Sequence, residues 1–550
     1  MLLIIDLIWQ LICLYLSYGN NPTLLAPAGD ALEYLNIADN IASGNFIQNQ
    51  PFLSAPLYPY FVALMRSLGF GLGGIFVVQL LLRSLTAYII ANCAQLLFKN
   101  SGLAFASAAC FLLLQEPAYF TVRLVNSSLQ LLTLSFLIFS MLRFSQQPSK
   151  SRATHFGSGL GIAVLANPTL LASLPFFAWW LNWKDGRYKL SAIVLSVALG
   201  ITGLATLHNA IAVGEFIPVS AQAGVTFAHG NSHGANGTYK PLAGVSANRL
   251  DQNKDAYDIV AEQTGVAGWG NTSDYYFKQG LDFYKQYPSE AFALILTKMR
   301  WLFAGKDYGD LFFITLENAD PAFPRPTPHS AFIQVGWLLP MACIALVMLW
   351  RRKNTFRLPL FVLFMSAAAT VIVFWYSPRY RLPLVPIAVI IVPWAIYTLA
   401  DSKRWLAALL MIAPIAIIEG SSMIDDFDPV NAEMHGSYNS NIGLGHIDLE
   451  QYHLAIPRLE FAIANGQDKA VTHIALAESL VQIGTAFDKQ GNISAANERY
   501  NVAIKEYYRA LELNPRKDDA RQSLVSVLIY MKRDSEATKI TNEGKRIKSQ

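Results

Sequence analysis

Residues 74–98 read GIFVVQLLLRSLTAYIIANCAQLLF, an apolar run in which Arg83 is the one charged side chain. A helix satisfies its own backbone hydrogen bonds, and about 20 mostly apolar residues rising about 1.5 Å each cover the hydrocarbon layer. This stretch therefore reads as a membrane span. Working outward, further apolar runs occur at about Leu2 to Tyr18, Leu103 to Gln115, Arg123 to Leu142, Gly157 to Ala166, Leu170 to Trp183, Leu190 to Leu207, Ile333 to Trp350, Pro359 to Trp375, Leu382 to Leu399 and Leu406 to Ile418. Eleven spans result. Composition agrees, since 53% of the 550 residues are hydrophobic and only 15% charged, a balance few soluble chains of this size reach. The first run has neither a basic leader nor a small-residue cleavage site, so it is expected to be a retained span, its brevity leaving room for a longer amino terminus.

The net charge of +4 gives no sequence-wide basic field, so nucleic acid is not an expected partner. Basic residues cluster instead in short connections. With the amino terminus inside, Lys99, the Arg143–Arg152 group, the Lys184–Lys189 group, Arg351 to Lys353, and Lys403 with Arg404 all fall on the cytoplasmic side. The outward side, the periplasm of a bacterial inner membrane, then holds residues 20–73, the long loop from His208 to Pro328, and everything after Glu419. Cys13, Cys93, Cys110 and Cys343 all lie in apolar runs, which excludes a disulfide framework in the exposed parts.

From about Tyr438 the apolar runs give way to amphipathic periodicity. Laid on itself with an offset of 41 residues, Gly443, Ala455, Leu459 and Ala462 match Gly484, Ala496, Tyr500 and Ala503. Small and bulky residues alternating in this way let paired helices approach closely, as in a tetratricopeptide repeat with elongated helices. A third, degenerate unit around Ala520, Leu524, Leu528 and Ala537 is expected to cap the stack. The expected fold class is thus all-α, a polytopic membrane helical bundle followed by a soluble tetratricopeptide-like domain. The expected segments are residues 1–207, the loop 208–328, the second membrane module 329–420 and the repeats 430–550.

Three outward segments carry chemistry. The first starts at Asp30, has Glu33 one helical turn on and Tyr34 next, and continues to Pro56-Leu57-Tyr58-Pro59. A second, between the ninth and tenth spans, is Tyr376-Ser377-Pro378-Arg379-Tyr380-Arg381-Leu382-Pro383. Arginines on the outward side run against the positive-inside bias, and fixed guanidiniums suit a phosphate leaving group. The long loop brings His208-Asn209, Gly224, Gly230-Asn231 and Gly237-Thr238-Tyr239. His229 and His233 lie four apart, but Gly230 and Gly234 argue for a loop, so no zinc site is expected.

These motifs resemble the GT-C superfamily of glycosyltransferases, of the protein O-mannosyltransferase and aminoarabinose transferase type, over about residues 1 to 400. The resemblance implies transfer of a sugar from a polyprenyl-phosphate carrier to an acceptor at the outer face of the membrane. Asp30 falls at the catalytic acid, where a carboxylate can act as base toward an acceptor hydroxyl. Arg379, Tyr380 and Arg381 fall at the donor phosphate, and Asn209, Asn231 and Tyr239 where donor or acceptor contacts are expected. The glycines of the loop would let backbone approach a ligand closely. Relatives usually carry a second acid between spans three and four, where Glu116, a few residues early, is the acid available; Glu33, one turn from Asp30, is the other candidate second acid. Asn167-Pro168 stands where many relatives have Arg-Pro. No cofactor or metal is required by the scheme, and the lipid-linked sugar is a substrate. The expected partners are that carrier, membrane lipids, and a protein or glycan acceptor recruited by the repeats. Two alternatives share these features: a ligase or polymerase of the O-antigen type, which needs no acid at Asp30, and a non-enzymatic, membrane-anchored scaffold for envelope assembly.

Overall fold

The computed structural model describes residues 1–185, 188–246, 249–305, 312–323, 333–402, 405–415 and 427–548. Among them the regular elements are α-helices and short 3-10 turns, with one isolated parallel bridge between Leu114 and Ile333. The fold is all-α. The chain divides into two compact units, the first comprising Met1–Tyr18, Gly29–Asp310 and Pro324–Ile424, the second Gly19–Ala28, Leu311–Phe323 and Asp425–Gln550.

In the first unit the helices Leu72–Phe98, Ser127–Gln146, Tyr188–Val213 and Pro378–Asp401 are long and apolar enough to cross a membrane, and Leu2–Tyr18 qualifies when joined to the bent segment after it. Among the described residues, further apolar helices are shorter: Ser101–Leu112, Pro168–Leu181, Val335–Arg351 and Arg357–Val373. Each of the first ten expected runs carries a helix among the described residues, but the helices differ in length. Ser101–Leu112 covers only about 18 Å at about 1.5 Å per residue, because the chain turns at Leu113 before the short helix Gln115–Thr121. Hydropathy alone does not register such a turn. The eleventh expected span, Leu406 to Ile418, is described only to residue 415.

Small residues set the packing. Helix Lys150–Ala166 carries glycines at 157, 159 and 161; an added Cβ at Gly157 would lie 2.5 Å from the Val194 carbonyl oxygen, and one at Gly161 2.9 Å from that of Ala198. One face of the helix therefore lies backbone to backbone on Tyr188–Val213, while Gly159 faces Ser140 on Ser127–Gln146. Without a hydrophobic drive between helices in lipid, such close approach supplies dispersion energy. The charged residues of the first two membrane helices neutralise one another, since Arg83 pairs with Asp6 and also donates to the Leu112 carbonyl.

The second unit is a series of helical pairs: Phe427–Asp448 with Tyr452–Ala464, Ala470–Lys489 with Ile493–Leu513, and Asp518–Tyr530 with Asp534–Lys548. Ala470–Lys489 is apolar enough to pass for a span, but Ile474, Leu476 and Leu480 are buried in the core shared with Tyr500, Ala503 and Tyr507. A Cβ at Gly443 would come within 2.8 Å of Leu459, and one at Gly484 within 2.8 Å of Tyr500, so the two positions 41 residues apart make equivalent contacts. Two segments distant in sequence complete this unit. Pro22 packs on Gly445, Asn21 bonds Glu317, and Asp320 accepts from Tyr438 Oη at 2.7 Å and pairs with Arg458 at 2.8 Å.

Candidate active site

Gly29 has φ 57° and ψ −126°, a conformation that disfavours any side chain, and it turns the chain into helix Asp30–Ala42. Asp30 is the first residue of that helix and Glu33 lies one turn on, both in the first turn, where the helix dipole favours negative charge. Below them, Tyr34 packs edge-on against Tyr58 with ring centroids 5.0 Å apart. Tyr58, from the Pro-Leu-Tyr-Pro run, is fully buried and donates to Gln79 Oε1 at 2.8 Å. That run is thus a pillar under the acid-bearing helix.

The Asp30 carboxylate lies between two guanidiniums. Arg379 Nη1 donates to its Oδ2 at 2.7 Å, and Arg249 Nε lies 2.9 Å from its Oδ1 and 2.7 Å from Glu33 Oε2. Side-chain exposure falls from 24% at Asp30 to 8% at Glu33, so these pairs are largely shielded from solvent screening. Burial pushes Asp30 upward, but Arg379 and Arg249 outweigh it and hold its carboxyl below the usual range. Glu33 moves the other way: burial and the neighbouring Asp30 charge raise it despite Arg249. Two carboxyls one turn apart are thereby driven in opposite directions, the pattern by which environments separate acid from base.

Arg249 was not among the residues singled out in the sequence. It lies on helix Arg249–Thr264, and its guanidinium faces the two carboxylates at once. Its Nη2 donates to Gln222 Oε1 at 2.8 Å and its Nη1 to Gln252 Oε1 at 3.3 Å. Gln252 in turn donates to Tyr239 Oη at 2.8 Å and meets His229 Nε2 at 2.5 Å. Tyr239, Trp375 and Tyr380 form an aromatic row, with centroids 5.5 Å and 5.7 Å apart, and His229 lies 4.8 Å from Tyr239. Burial lowers His229 to about 4 and raises Tyr239 to about 12, so both are neutral around pH 7. Asp30, Glu33, Tyr239, Arg379 and Tyr380 are thus linked through Arg249, Gln252 and Trp375.

The paired arginines of the sequence motif part company. They stand two apart in the 3-10 turn Pro378–Leu384, where three residues complete a turn, and so project in different directions. Arg381 is fully buried: Nη2 donates to Glu116 Oε1 at 2.8 Å and Nη1 to the Ala304 carbonyl at 2.7 Å. The expected phosphate role thus meets an arginine already committed within the protein. Glu116, expected as a second acid, is also fully buried, and both its oxygens accept from Val335 N–H at 3.0 Å.

The loop asparagines are anchors as well. Asn209 donates to the Ile217 and Val219 carbonyls and accepts from Phe52 N–H. Asn231 donates to the Phe227 and Val373 carbonyls and accepts from Tyr284 Oη and Lys298 Nζ at 2.7 and 2.8 Å, filling the capacity of its amide. The loop glycines approach protein rather than ligand. A Cβ at Gly224 would lie 1.8 Å from the Ser273 carbonyl oxygen, and one at Gly230 2.0 Å from that of Phe374. His229 and His233 take separate partners, His233 pairing with Glu290 at 2.9 Å. Among the described residues no group of three or more His, Cys, Asp or Glu is placed to hold a metal ion.

Burial lowers Lys298, below Asn231, to about 7. Between that value and the usual lysine value near 10.4 the unfolded chain binds more protons, so stability rises with pH across that window. Below pH 7 both states are charged and the dependence ends. Melting curves from pH 7 to 10 should show this rise, and Lys298→Met should flatten it; an unchanged slope in the variant would assign the dependence elsewhere.

No protein-family model matches the chain, and no curated protein matches it. Among solved structures it is similar to the oligosaccharyltransferase of Archaeoglobus fulgidus in complex with Zn and sulfate, at a TM-score of 0.40 and 12% identity, covering 76% of this chain and 52% of that one. It is likewise similar to AglB, the archaeal oligosaccharyltransferase of the same organism, in complex with an inhibitory peptide and a dolichol-phosphate, at a TM-score of 0.40, 14% identity, and 89% and 59% coverage. A third similar structure is the same organism's enzyme tethered to an acceptor peptide containing the NVT sequon, at 0.40, 12%, 88% and 57%. The chain spans between half and three-fifths of the length of these proteins.

Proposed function

We propose that this protein is a membrane glycosyltransferase of the GT-C type that moves a sugar from a polyprenyl-phosphate carrier to a hydroxyl-bearing acceptor at the outer face of a bacterial inner membrane. The observation that supports this reading is the cluster of Asp30, Arg249 and Arg379 beside the row Tyr239, Trp375 and Tyr380. In the resting arrangement Asp30 is a weak base, because both its oxygens face guanidiniums. A phosphate competes for those same planar donors, and each arginine that turns to it frees a carboxylate oxygen. Donor binding would then switch Asp30 on, and the arginines would stabilise charge developing on the leaving phosphate. The aromatic row offers faces on which a sugar can stack. The helical pairs of the second unit would recruit the protein or glycan acceptor, raising its local concentration.

Lipids extracted from the purified protein test the carrier. The wild type should yield a polyprenyl-phosphate sugar, and an Arg249→Gln/Arg379→Gln double variant should lose it; bulk phospholipid alone from the wild type would overturn the reading. In proteoliposomes charged with such a donor, Asp30→Asn should stay folded, melting below the wild type because Arg249 and Arg379 lose their shared carboxylate, and should lose transfer by at least about a hundredfold. Wild-type turnover in that variant would remove Asp30 from the mechanism.

A further inference from the structure

Helix Val385–Asp401 begins just after the turn that carries Arg379, and its 17 residues at about 1.5 Å each put Asp401 roughly 25 Å from that end. At this opposite end lies a cleft of about 420 Å³ lined by the ends of helices Leu72–Phe98, Val335–Arg351 and Val385–Asp401 and the start of Ser101–Leu112. Among the described residues its lining holds one cation and one anion, Arg352 and Asp401, both exposed, and neither forms an ion pair there. Two amides accompany them. Asn100 Oδ1 accepts from Gly102 and Leu103 N–H, and Asn354 Oδ1 accepts from Phe356 N–H, which leaves both amide nitrogens as donors. The floor is Trp394, stacked on Phe98 at 5.2 Å and covered by the Arg352 guanidinium at 5.6 Å.

We infer that this cleft binds the phosphoethanolamine headgroup of a membrane phospholipid. Arg352 and the two amide nitrogens meet the phosphate. Asp401, at a helix C-terminus whose last carbonyls are partly negative, meets the ammonium. The amine is primary: Asp401 accepts its hydrogens, whereas the Trp394 ring, already engaged by Phe98 and Arg352, is not open to a quaternary ammonium. The site lies at the end of apolar helices, and the exposed Ile396 and Tyr397 beside it give the acyl chains a surface to lie on.

The test is native mass spectrometry of delipidated full-length protein titrated with dioleoyl phosphatidylethanolamine or dioleoyl phosphatidylcholine. The wild type should bind the ethanolamine lipid about tenfold more tightly, a factor within reach of one well-placed ionic hydrogen bond. Asp401→Asn should bring the ratio to about one, and Arg352→Gln should weaken both lipids about fivefold or more by removal of a phosphate donor. Both side chains are exposed, so both variants should melt with the wild type. Soluble phosphoethanolamine at equal concentration should displace neither lipid. Equal affinities in the wild type, an unchanged ratio in Asp401→Asn, or displacement by the soluble headgroup would each overturn the assignment. Neither variant touches the Asp30 cluster, so failure here leaves the proposed activity standing.

Discussion

Arg249→Gln is expected to lower sugar transfer by about two to three orders of magnitude while the protein stays folded. Removing one preorganised donor from a shielded site costs about 3–4 kcal/mol of transition-state stabilisation, and Arg249 faces Asp30 and Glu33 at once. The fold should survive because Glu33, already raised by burial, can take a proton once its cation is gone. Arg249→Lys should recover little, since an ammonium cannot reproduce the planar fork that reaches Gln222 and Gln252 as well as the acids. If the arginine binds the donor phosphate before the chemical step, KM for the lipid-linked sugar rises together with the fall in kcat. Initial rates in proteoliposomes, read beside melting temperatures, check this. A variant that melts normally and turns over within threefold of the wild type would assign Arg249 a purely structural place.

Why Arg249 escaped the sequence reading is physical. Asp30 and Glu33 were legible as a pair because helical spacing puts them one turn apart, and Arg379 because it stands on the outward side against the usual charge bias. Arg249 stands alone in the polar stretch Ser246 to Lys254, and only the tertiary fold returns it to residues 30–33. The converse error came from pattern without geometry. Arg379 and Arg381 look equivalent in a motif, yet a 3-10 turn sends one to Asp30 and the other to Glu116. The loop glycines likewise signalled close approach, but what they approach is the carbonyl of Ser273 or Phe374. Helix identity followed from hydropathy, whereas span length did not, because a turn such as that at Leu113 leaves the apolar run intact.

Glu116→Gln is expected to cost about 3–5 kcal/mol of stability, the range for breaking a buried ion pair from one side. Arg381 would keep its charge with no carboxylate beside it, at a site where both partners are fully buried. The loss reaches further than the pair. Glu116 also caps the first N–H of helix Val335–Arg351, and Arg381 holds the Ala304 carbonyl just past helix Pro288–Phe303, so one carboxylate fastens three chain segments. Gly336 marks how closely they meet, since a Cβ there would lie 1.9 Å from the Ala304 oxygen and 2.9 Å from Arg381 Nη1. Replacing both partners, as Glu116→Leu with Arg381→Met, should recover part of the loss, because the stranded charge disappears even though the cap does not return. Detergent-resistance or thermal unfolding curves would read these differences. In Glu116→Gln, transfer should fall only in step with the folded fraction, the reverse of Arg249→Gln, where the folded fraction holds and turnover falls. Normal melting with abolished transfer in Glu116→Gln would instead make Glu116 the second acid of the reaction.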